Sequence, residues 1–401
     1  MRRSALGSGP TSRRRLSPHA RSDWVDPVPA HEVAIAHDYL TQRGGAERVV
    51  LTLARAFPEA PIYTTLFDPE GTYPEFKNLD VRPSRLNAVG ILRRQHRAAL
   101  PLLPAASRSI KVDAEVVIAS SSGWAHGFES SGKKLVYCYA PARWVYEPDR
   151  YLGADPSKVV AAALKVLTPS LRRWDQRAAS TADRYLAIST VTQERIRRVY
   201  GLEAPIVPAP HSVNTGDVPP RAPGTRLPDP GYFLVVSRLL PYKNVMPIVQ
   251  AFASLPEHTL LVVGAGPQKA ELRDAATDNV TFLEGLSDGE MAQAYHGCTA
   301  LVAASHEDFG LTPLEAAAYS KPSAVLRWGG FLDTVVEDET GVFFDVPESA
   351  SIVEALQRLM SLEWRTEILR ARAEEFSETR FIDRVKSHVA DLRSGEREKC
   401  Q

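Results

Sequence analysis

The chain has 401 residues, of which 44% are hydrophobic and 24% charged, and these globular proportions exclude a wholly disordered or fibrous protein. Lys plus Arg equals Asp plus Glu at 48 each, so the composition does not indicate a generally basic nucleic-acid binder. The sequence contains no apolar run of the ~18–20 residues that a membrane-spanning helix needs. The distant cysteines Cys138, Cys298 and Cys400 exclude a disulfide framework or zinc cluster and favour a reducing, cytoplasmic compartment.

The charges divide unevenly along the chain. Residues 1–210 hold 30 Lys/Arg against 20 Asp/Glu, whereas residues 211–401 hold 18 against 28. This reversal of sign predicts two domains. Residues 1–30 are rich in Arg, Ser and Pro and lack the apolar core of a secretory signal, so we expect a disordered basic tail.

The first half alternates short apolar runs with helix-like segments. Continuous apolar runs of this kind are typical of parallel strands that helices cover on both faces. The pattern therefore predicts a Rossmann-like domain over residues 31–210. Its predicted strands lie at 33–36, 116–119, 135–138 and 185–188, and its predicted helices at 48–57, 158–180 and 191–200.

A cluster of prolines follows, and the alternation then starts again. We predict a proline-rich linker at 211–230 and a second doubly wound domain at 231–375. Because ligands in such sheets bind at the carboxyl ends of the strands, we expect one site in the cleft between two facing domains. The predicted strands are 232–236, 259–263, 280–283, 300–302 and 323–326, and the predicted helices are 245–255, 267–276, 288–297 and 313–319.

The segment from Glu307 to Glu315 is the most informative motif. Gly310 and Pro313 place Glu307 in a loop and start a helix near Thr312, which we predict as its N-cap. Glu315 then closes a capping box with Thr312, or else accepts hydrogen bonds from a bound sugar or ribose. The free N–H groups of the helix start would suit a diphosphate.

Two cations follow the strand at 232–236. Arg238 offers a planar fork for phosphate oxygens and Lys243 a point charge, although both could be solvated surface charges. Gly264 and Gly266 follow the next strand and form either a nucleotide-binding loop or a plain tight turn. The two glycines indicate a nicotinamide site only weakly, because the dinucleotide-binding fingerprint has a third glycine that is absent here.

Taken together and in this order, these motifs resemble the retaining glycosyltransferases of family 4, which have the GT-B fold. The resemblance covers roughly residues 32–390 and includes a last motif of two glycines, Gly329 and Gly330, followed by Asp333. It implies that a helix near 376–393, within the C-terminal segment 376–401, crosses back to the first domain. The first glycine loop of that family corresponds to Gly44 and Gly45 of this chain.

The segment 137–144 resembles the bacterial WbaZ-like mannosyltransferase subgroup. That subgroup usually has a histidine near the donor sugar where this chain has Tyr139. The resemblance places Tyr139 and Arg143 on the acceptor and sugar side. We expect a histidine of this chain to lie nearby as well, either His126 or His37. Asp333 stands where Glu is usual, and Ser320 where glycine is common.

The resemblance also implies roles for the residues of the second half. Arg238 and Lys243 would hold the donor diphosphate, Glu307 would contact the transferred sugar, and Glu315 the ribose. The backbone around Phe309, with Asp308, Gly310 and Leu311, would line the donor pocket.

The implied reaction is transfer of a hexose, mannose from GDP-mannose, to a lipid-linked or polysaccharide acceptor with retention of configuration. No Asp-x-Asp pair occurs in the sequence, so we expect a metal-independent enzyme without a further cofactor. A catalytically silent nucleotide-sugar-binding partner and an epimerase or phosphorylase on the same scaffold remain alternatives.

Residues 82–111 combine cations with apolar side chains and contain no acid. A basic amphipathic stretch of this kind either covers the N-terminal sheet as a solvated helix or lies on an anionic membrane. The positive first half favours contact with the inner face of the cell membrane. The cations of residues 82–111 are Arg82, Arg85, Arg93, Arg94, Arg97, Arg108 and Lys111.

Overall fold

The computed structural model describes residues 30–94, 102–147, 158–213, 215–216, 218–221 and 224–395. These residues build two six-stranded sheets in which every pair of neighbouring strands is parallel. A separate two-stranded sheet joins β4 (Lys111–Val112) to β6 (Glu129–Ser130). In the first half the strands are β1 (Val33–His37), β2 (Ile62–Thr64), β3 (Val81–Pro83), β4 (Lys111–Val112), β5 (Val116–Ser121), β6 (Glu129–Ser130), β7 (Lys133–Cys138) and β8 (Arg184–Ala187).

The two large sheets share one topology. The second sheet consists of β9 (Phe233–Val236), β10 (Leu260–Val263), β11 (Val280–Leu283), β12 (Ala300–Ala303), β13 (Ser323–Leu326) and β14 (Gly341–Phe344). The first sheet has the order β3-β2-β1-β5-β7-β8, and the second has the order β11-β10-β9-β12-β13-β14. The chain therefore reverses its direction of winding between β1 and β5, and again between β9 and β12, which is where such sheets bind ligands.

Helices connect the strands of both sheets. In the first half they are α1 (Gly45–Ala56), α2 (Gly90–Arg94), α3 (Leu103–Ser109), α4 (Arg143–Tyr146), α5 (Lys158–Ala179) and α6 (Thr190–Tyr200). In the second half they are α7 (Val245–Phe252), α8 (Lys269–Asp274), α9 (Asp288–Gly297), α10 (Leu311–Ala318), α11 (Phe331–Thr334), α12 (Ser349–Ser361), α13 (Thr366–Glu374) and α14 (Glu378–Ser394). Short 3₁₀ turns lie at Pro74–Asn78, Arg85–Ala88, Ala125–Gly127 and Pro241–Lys243.

The predicted architecture of two doubly wound parallel sheets is confirmed. Every strand that the apolar runs predicted is present, within about two residues at each end. The sequence did not reveal β2, β3 and β14, which are only three or four residues long. The three-residue strands β2 and β3 carry too little periodicity to be distinguished from loops.

The last helix returns to the first half of the molecule, as the resemblance implied. Phe381, Val385 and Val389 of α14 are buried in the core that also contains β1, β5 and β7. The rings of Phe381 and Tyr137 meet edge to face with centroids 5.4 Å apart. The chain therefore crosses between the two sheets a second time at residues 375–378.

The predicted linker lies against this second crossing. The backbone N–H of His211 donates to the carbonyl of Phe376 at 3.1 Å, and His211 Nε2 lies 3.0 Å from the carbonyl of Ala373. The domain limits at residues 210 and 230 stay a prediction. The predicted basic tail at 1–30 lies outside the described residues except for Ala30, as do residues 95–101 of the amphipathic stretch and Cys400. Among the described helices, none is both long and apolar enough to cross a membrane.

Candidate active site in the interdomain cleft

Lys243 and Glu307 meet where β9 and β12 end. The Lys243 ammonium donates to Glu307 Oε1, and the Ser305 hydroxyl donates to the same oxygen at 3.0 Å. Burial would raise the pKa of Glu307, but Lys243, Ser305 and Arg143 together hold it below its ordinary value. The carboxylate is therefore ionised at neutral pH and can only accept hydrogen bonds. Lys243, Glu307 and Thr312 line one pocket of the second domain.

Arg238 lies on the same loop as Lys243 but does not touch Glu307. Its side chain is exposed and donates to the Tyr242 hydroxyl at 2.8 Å, while the Lys243 ammonium lies 5.0 Å from the centroid of the Tyr242 ring. Tyr242, which lies in the short turn Pro241–Lys243, thus contacts both cations. The structure brings Lys243 to Glu307 and leaves Arg238 at the solvent edge of the loop.

Two glycine motifs each pack a neighbouring loop against one of the loops that carry Lys243 and Glu307. A Cβ at Gly264 would lie 1.8 Å from the Ser237 carbonyl oxygen, so only glycine allows these two loops to touch. A Cβ at Gly330 would lie 2.2 Å from Phe309 Cα, and the Gly330 N–H donates to the Glu307 carbonyl at 2.9 Å. These glycines therefore fix the backbones that carry Lys243 and Glu307.

The expected start of helix α10 is wrong. The N-cap is Gly310, with φ of 87°, and no side chain caps the helix, which begins at Leu311 rather than after Thr312. Gly310 takes the left-handed conformation that lets the loop turn directly into the helix. Glu315 closes no capping box, because its Oε2 accepts a hydrogen bond from the Tyr295 hydroxyl instead.

The start of α10 also touches the first domain. Leu311 Cδ1 lies 3.2 Å from the position of a Cβ at Gly45, so the N-terminal glycine loop of Gly44 and Gly45 faces the start of this helix. Phe309 is buried with the N-terminal core, and its ring centroid lies 6.0 Å from that of Phe376. The two sheets therefore enclose a common cleft at this helix start.

Two arginines of the first domain cross the cleft to Asp308. Arg143 Nη2 lies 2.8 Å from Asp308 Oδ2, and Arg195 Nη1 donates to Asp308 Oδ1. Arg195 also pairs with Glu147 at 3.2 Å. The side chain of Asp308, predicted to line the donor pocket, thus joins the two domains. No sequence signal pointed to Arg195, which is one of three arginines in an amphipathic helix.

A second contact across the cleft involves the last motif. The Asp333 carboxylate accepts hydrogen bonds from the backbone N–H of Thr190, at 2.9 Å, and from its hydroxyl. Asp333 of one domain therefore binds the first residue of helix α6 of the other. The motif that follows Gly329 and Gly330 contributes to closing the cleft.

Tyr139 occupies an enclosed position beneath the N-terminal glycine loop. Its hydroxyl lies 2.9 Å from the Ser120 hydroxyl and donates to the Ala46 carbonyl at 3.2 Å. His37 Nδ1 lies 3.0 Å from the same Ser120 oxygen, so Ser120 links the two rings. Burial raises the pKa of Tyr139 well above its ordinary value, and its hydroxyl therefore stays protonated.

His126 does not line the cleft, contrary to expectation. Its side chain is 2% exposed, with Nδ1 3.0 Å from the Tyr185 hydroxyl and Nε2 3.2 Å from Asp175 Oδ1. Its ring also packs against Trp174. His126 faces the helices that cover the sheet, because the turn Ala125–Gly127 that follows Trp124 directs its side chain inward. His37 is the histidine that approaches Tyr139.

The two halves match two sequence families. Residues 43–217 match the Glycosyltransferase Family 4 domain, and residues 221–379 match the Glycosyl transferases group 1 domain. The chain carries two glycosyltransferase domains. The boundary between the two matches falls within the proline-rich region, where the charge also reverses.

Curated relatives share modest identity with this glycosyltransferase chain. A GDP-mannose-dependent alpha-(1-6)-phosphatidylinositol monomannoside mannosyltransferase of Mycolicibacterium smegmatis is 26% identical over 59% of this chain and 68% of its own length. The alpha-1,3/1,6-mannosyltransferase ALG2 of Mus musculus is 34% identical over 28% of this chain and 29% of its own length.

Solved structures share the fold over most of the chain. Anabaena Alr3699/HepE, solved with UDP and glucose, has a TM-score of 0.66 at 16% identity and covers 90% of this chain and 100% of its own. Sucrose-phosphate synthase of Thermosynechococcus elongatus has a TM-score of 0.65 at 18% identity, covering 91% of this chain and 100% of its own. The expected GT-B fold is confirmed.

Proposed function

We propose that this chain transfers a hexose with retention, mannose from GDP-mannose, to a lipid-linked or polysaccharide acceptor. The observation that carries the proposal is the contact of Lys243 with Glu307 beside the start of helix α10, in a pocket of the second domain. A cation that would bind a phosphate therefore lies next to a carboxylate that would accept hydrogen bonds from sugar hydroxyls. Mannosyltransferases that use GDP-mannose are among the matched relatives, which supports the choice of donor.

The proposed reaction depends on charge in the cleft. When the bond between the sugar and the diphosphate breaks, the leaving group gains negative charge that fixed cations can stabilise. Lys243 and Arg238 would bind the diphosphate, and the free N–H groups at Leu311 and Thr312 would add their partial positive charge. The acceptor oxygen would attack the same face of the sugar, with its proton passing to the leaving phosphate. This proposal needs no metal ion or further cofactor.

Glu307 would change partners when the donor binds. Its ionised carboxylate now accepts from Lys243 and Ser305. A diphosphate would draw Lys243 away, because two negative charges attract an ammonium more strongly than one. Glu307 would then accept hydrogen bonds from hydroxyls of the transferred sugar, and Glu315, beside Tyr295, from the ribose. The carboxylate thus couples arrival of the donor to orientation of its sugar.

A catalytically silent nucleotide-sugar-binding partner is the second candidate. Tyr139 favours it, because its buried hydroxyl is protonated and engaged by Ser120 and Ala46 where the resembling subgroup has histidine. Such a protein would bind the donor without consuming it. An epimerase on the same scaffold would instead convert the donor without any acceptor.

We expect one class of nucleotide sugar to stabilise the protein selectively. A ligand present at 100 times its dissociation constant adds about 2.7 kcal/mol to the free energy of unfolding. A thermal-shift panel of GDP-, UDP- and ADP-sugars measures this, with GDP-mannose expected to give the largest shift. A larger shift with UDP-sugars would contradict the donor assignment. Donor binding without hydrolysis or transfer to any glycan acceptor would favour the silent partner.

We also propose that the amphipathic stretch contacts an anionic membrane surface. The apolar side chains of Val89, Ile91 and Leu102 are 45%, 65% and 49% exposed. The exposed cations Arg85 and Arg108 belong to the same stretch, and each cation near an anionic surface adds about 1 kcal/mol. This arrangement would bring the cleft to a lipid-linked acceptor.

Substitution of Ile91 should weaken membrane binding. The variant Ile91→Glu places a charge where an apolar side chain would enter the bilayer interface, so we expect flotation with anionic vesicles to fall. Val346→Glu is the matched control, because Val346 is 44% exposed in the second domain. Equal flotation of both variants, or binding to anionic vesicles that salt does not reduce, would argue against this surface.

A further inference from the structure

A buried carboxylate that the proposed reaction does not use lies in the helical layer of the first domain. Asp175 of helix α5 is fully buried. Its Oδ2 accepts hydrogen bonds from the hydroxyls of Tyr146 at 2.8 Å and Tyr200 at 2.9 Å, and His126 Nε2 lies 3.2 Å from its Oδ1. Burying a carboxylate is costly unless such partners compensate for the lost water.

The two tyrosines belong to the elements that present the cleft arginines. Tyr146 is the last residue of helix α4, which begins with Arg143. Tyr200 is the last residue of helix α6, which carries Arg195. Both arginines bind Asp308 across the cleft. One oxygen of Asp175 therefore contacts the C-terminal residue of both elements.

Helix α4 depends on such contacts for its orientation. It has only four residues and no side-chain cap, and a single turn is not stable by itself. Glu147, which follows it, pairs with Arg195 and so joins α4 to α6 a second time. Burial raises the pKa of Tyr200 well above its ordinary value, so its hydroxyl remains a donor to Asp175.

We infer that Asp175 is a positioning residue that acts through Tyr146 and Tyr200. It fixes helices α4 and α6 relative to each other so that Arg143 and Arg195 meet Asp308 together. The role of Asp175 in the contact between the two domains is inferred from the geometry alone. The consequence for sugar transfer rests on the proposed function, because closure would place the first-domain arginines beside Glu307.

The inference is tested with Tyr146→Phe and Tyr200→Phe, each of which removes one hydroxyl and little volume. Tyr185→Phe is the matched control, because Tyr185 is a tyrosine of the same domain whose buried hydroxyl contacts His126 instead of Asp175. Spin labels on Ser109→Cys and Ser254→Cys, both exposed positions, report the distance between the domains. Cys400 is replaced by Ser, and Cys138 and Cys298 are buried and should not label.

We expect a narrow distance distribution in the parent and in Tyr185→Phe, and a broadened one in Tyr146→Phe and Tyr200→Phe. If Tyr146 acts through Arg143, the double variant Arg143→Met, Tyr146→Phe should show the same distance distribution as Arg143→Met alone. Where transfer is measurable, kcat/KM should fall about 10-fold in Tyr146→Phe and Tyr200→Phe, because small misplacements of cleft groups are costly.

Other outcomes would overturn the inference. If Tyr146→Phe and Tyr200→Phe behave like Tyr185→Phe in the distance measurement, Asp175 only stabilises the fold. The same holds if Tyr146→Phe and Arg143→Met broaden the distribution additively. A parent that transfers no sugar would refute the proposed function, whereas the distance measurement would still decide the role of Asp175.

Discussion

Replacement of Glu307 by glutamine should lower kcat for sugar transfer by about 10²–10³-fold, while binding of GDP is retained or strengthened. The loss of rate is of the size found when one group that stabilises a transition state is removed. The gain in binding follows from charge, because Glu307 now neutralises Lys243 and its removal frees that ammonium for phosphate. Steady-state kinetics and calorimetric titration with GDP measure the two effects separately.

A control is available in the same domain. Glu337 also forms ion pairs, with Arg327 and Arg358, but these lie beside β14 and outside the cleft. Glu337→Gln should leave both kcat and the dissociation constant of GDP unchanged. Weaker GDP binding in Glu307→Gln would show that Glu307 organises the nucleotide site itself, and an unchanged kcat would remove Glu307 from the sugar site.

The sequence predicted the sheets well because their central strands are continuous apolar runs. Residues 116–119 and 260–263 are fully buried on both faces, so their apolar character is required at each position. The edge strand β3 has three partly exposed residues, and its sequence carries a weaker pattern. Continuous burial is therefore visible in a sequence, whereas an edge strand of three partly exposed residues is not.

The candidate site was predictable in part. Lys243 and Glu307 each follow a strand of one sheet, so their proximity followed from topology. The contacts of Asp308 with Arg143 and Arg195 depend on how two domains meet, and Arg195 lies 113 residues from Asp308 in the chain. The capping of α10 was mispredicted because Thr312 and Pro313 fit a helix start, whereas the close packing of Gly310 and Gly330 decides where the loop turns.

Replacement of Gly264 by alanine should separate the two loops that form the donor site. The added Cβ would lie 1.8 Å from the Ser237 carbonyl oxygen, a backbone atom that cannot rotate away. The Ser237 N–H donates to Val263 at 3.1 Å and the Leu239 N–H to Ala265 at 2.9 Å, so moving one loop strains the other. Overpacking of this kind costs about 1–3 kcal/mol of the free energy of unfolding.

Gly264→Ala should weaken binding of the donor by more than its loss of stability explains, because the displaced segment carries Arg238 and Lys243. Gly201→Ala is the matched control. Gly201 has φ of 68° with open space around its Cα, so alanine there costs about 1 kcal/mol through backbone strain alone. Chemical denaturation should show that both variants lose stability, whereas calorimetry should show weaker GDP binding only in Gly264→Ala. Equal GDP binding in the two variants would mean that the 237–243 loop does not hold the diphosphate, since its displacement would then have no consequence for the nucleotide.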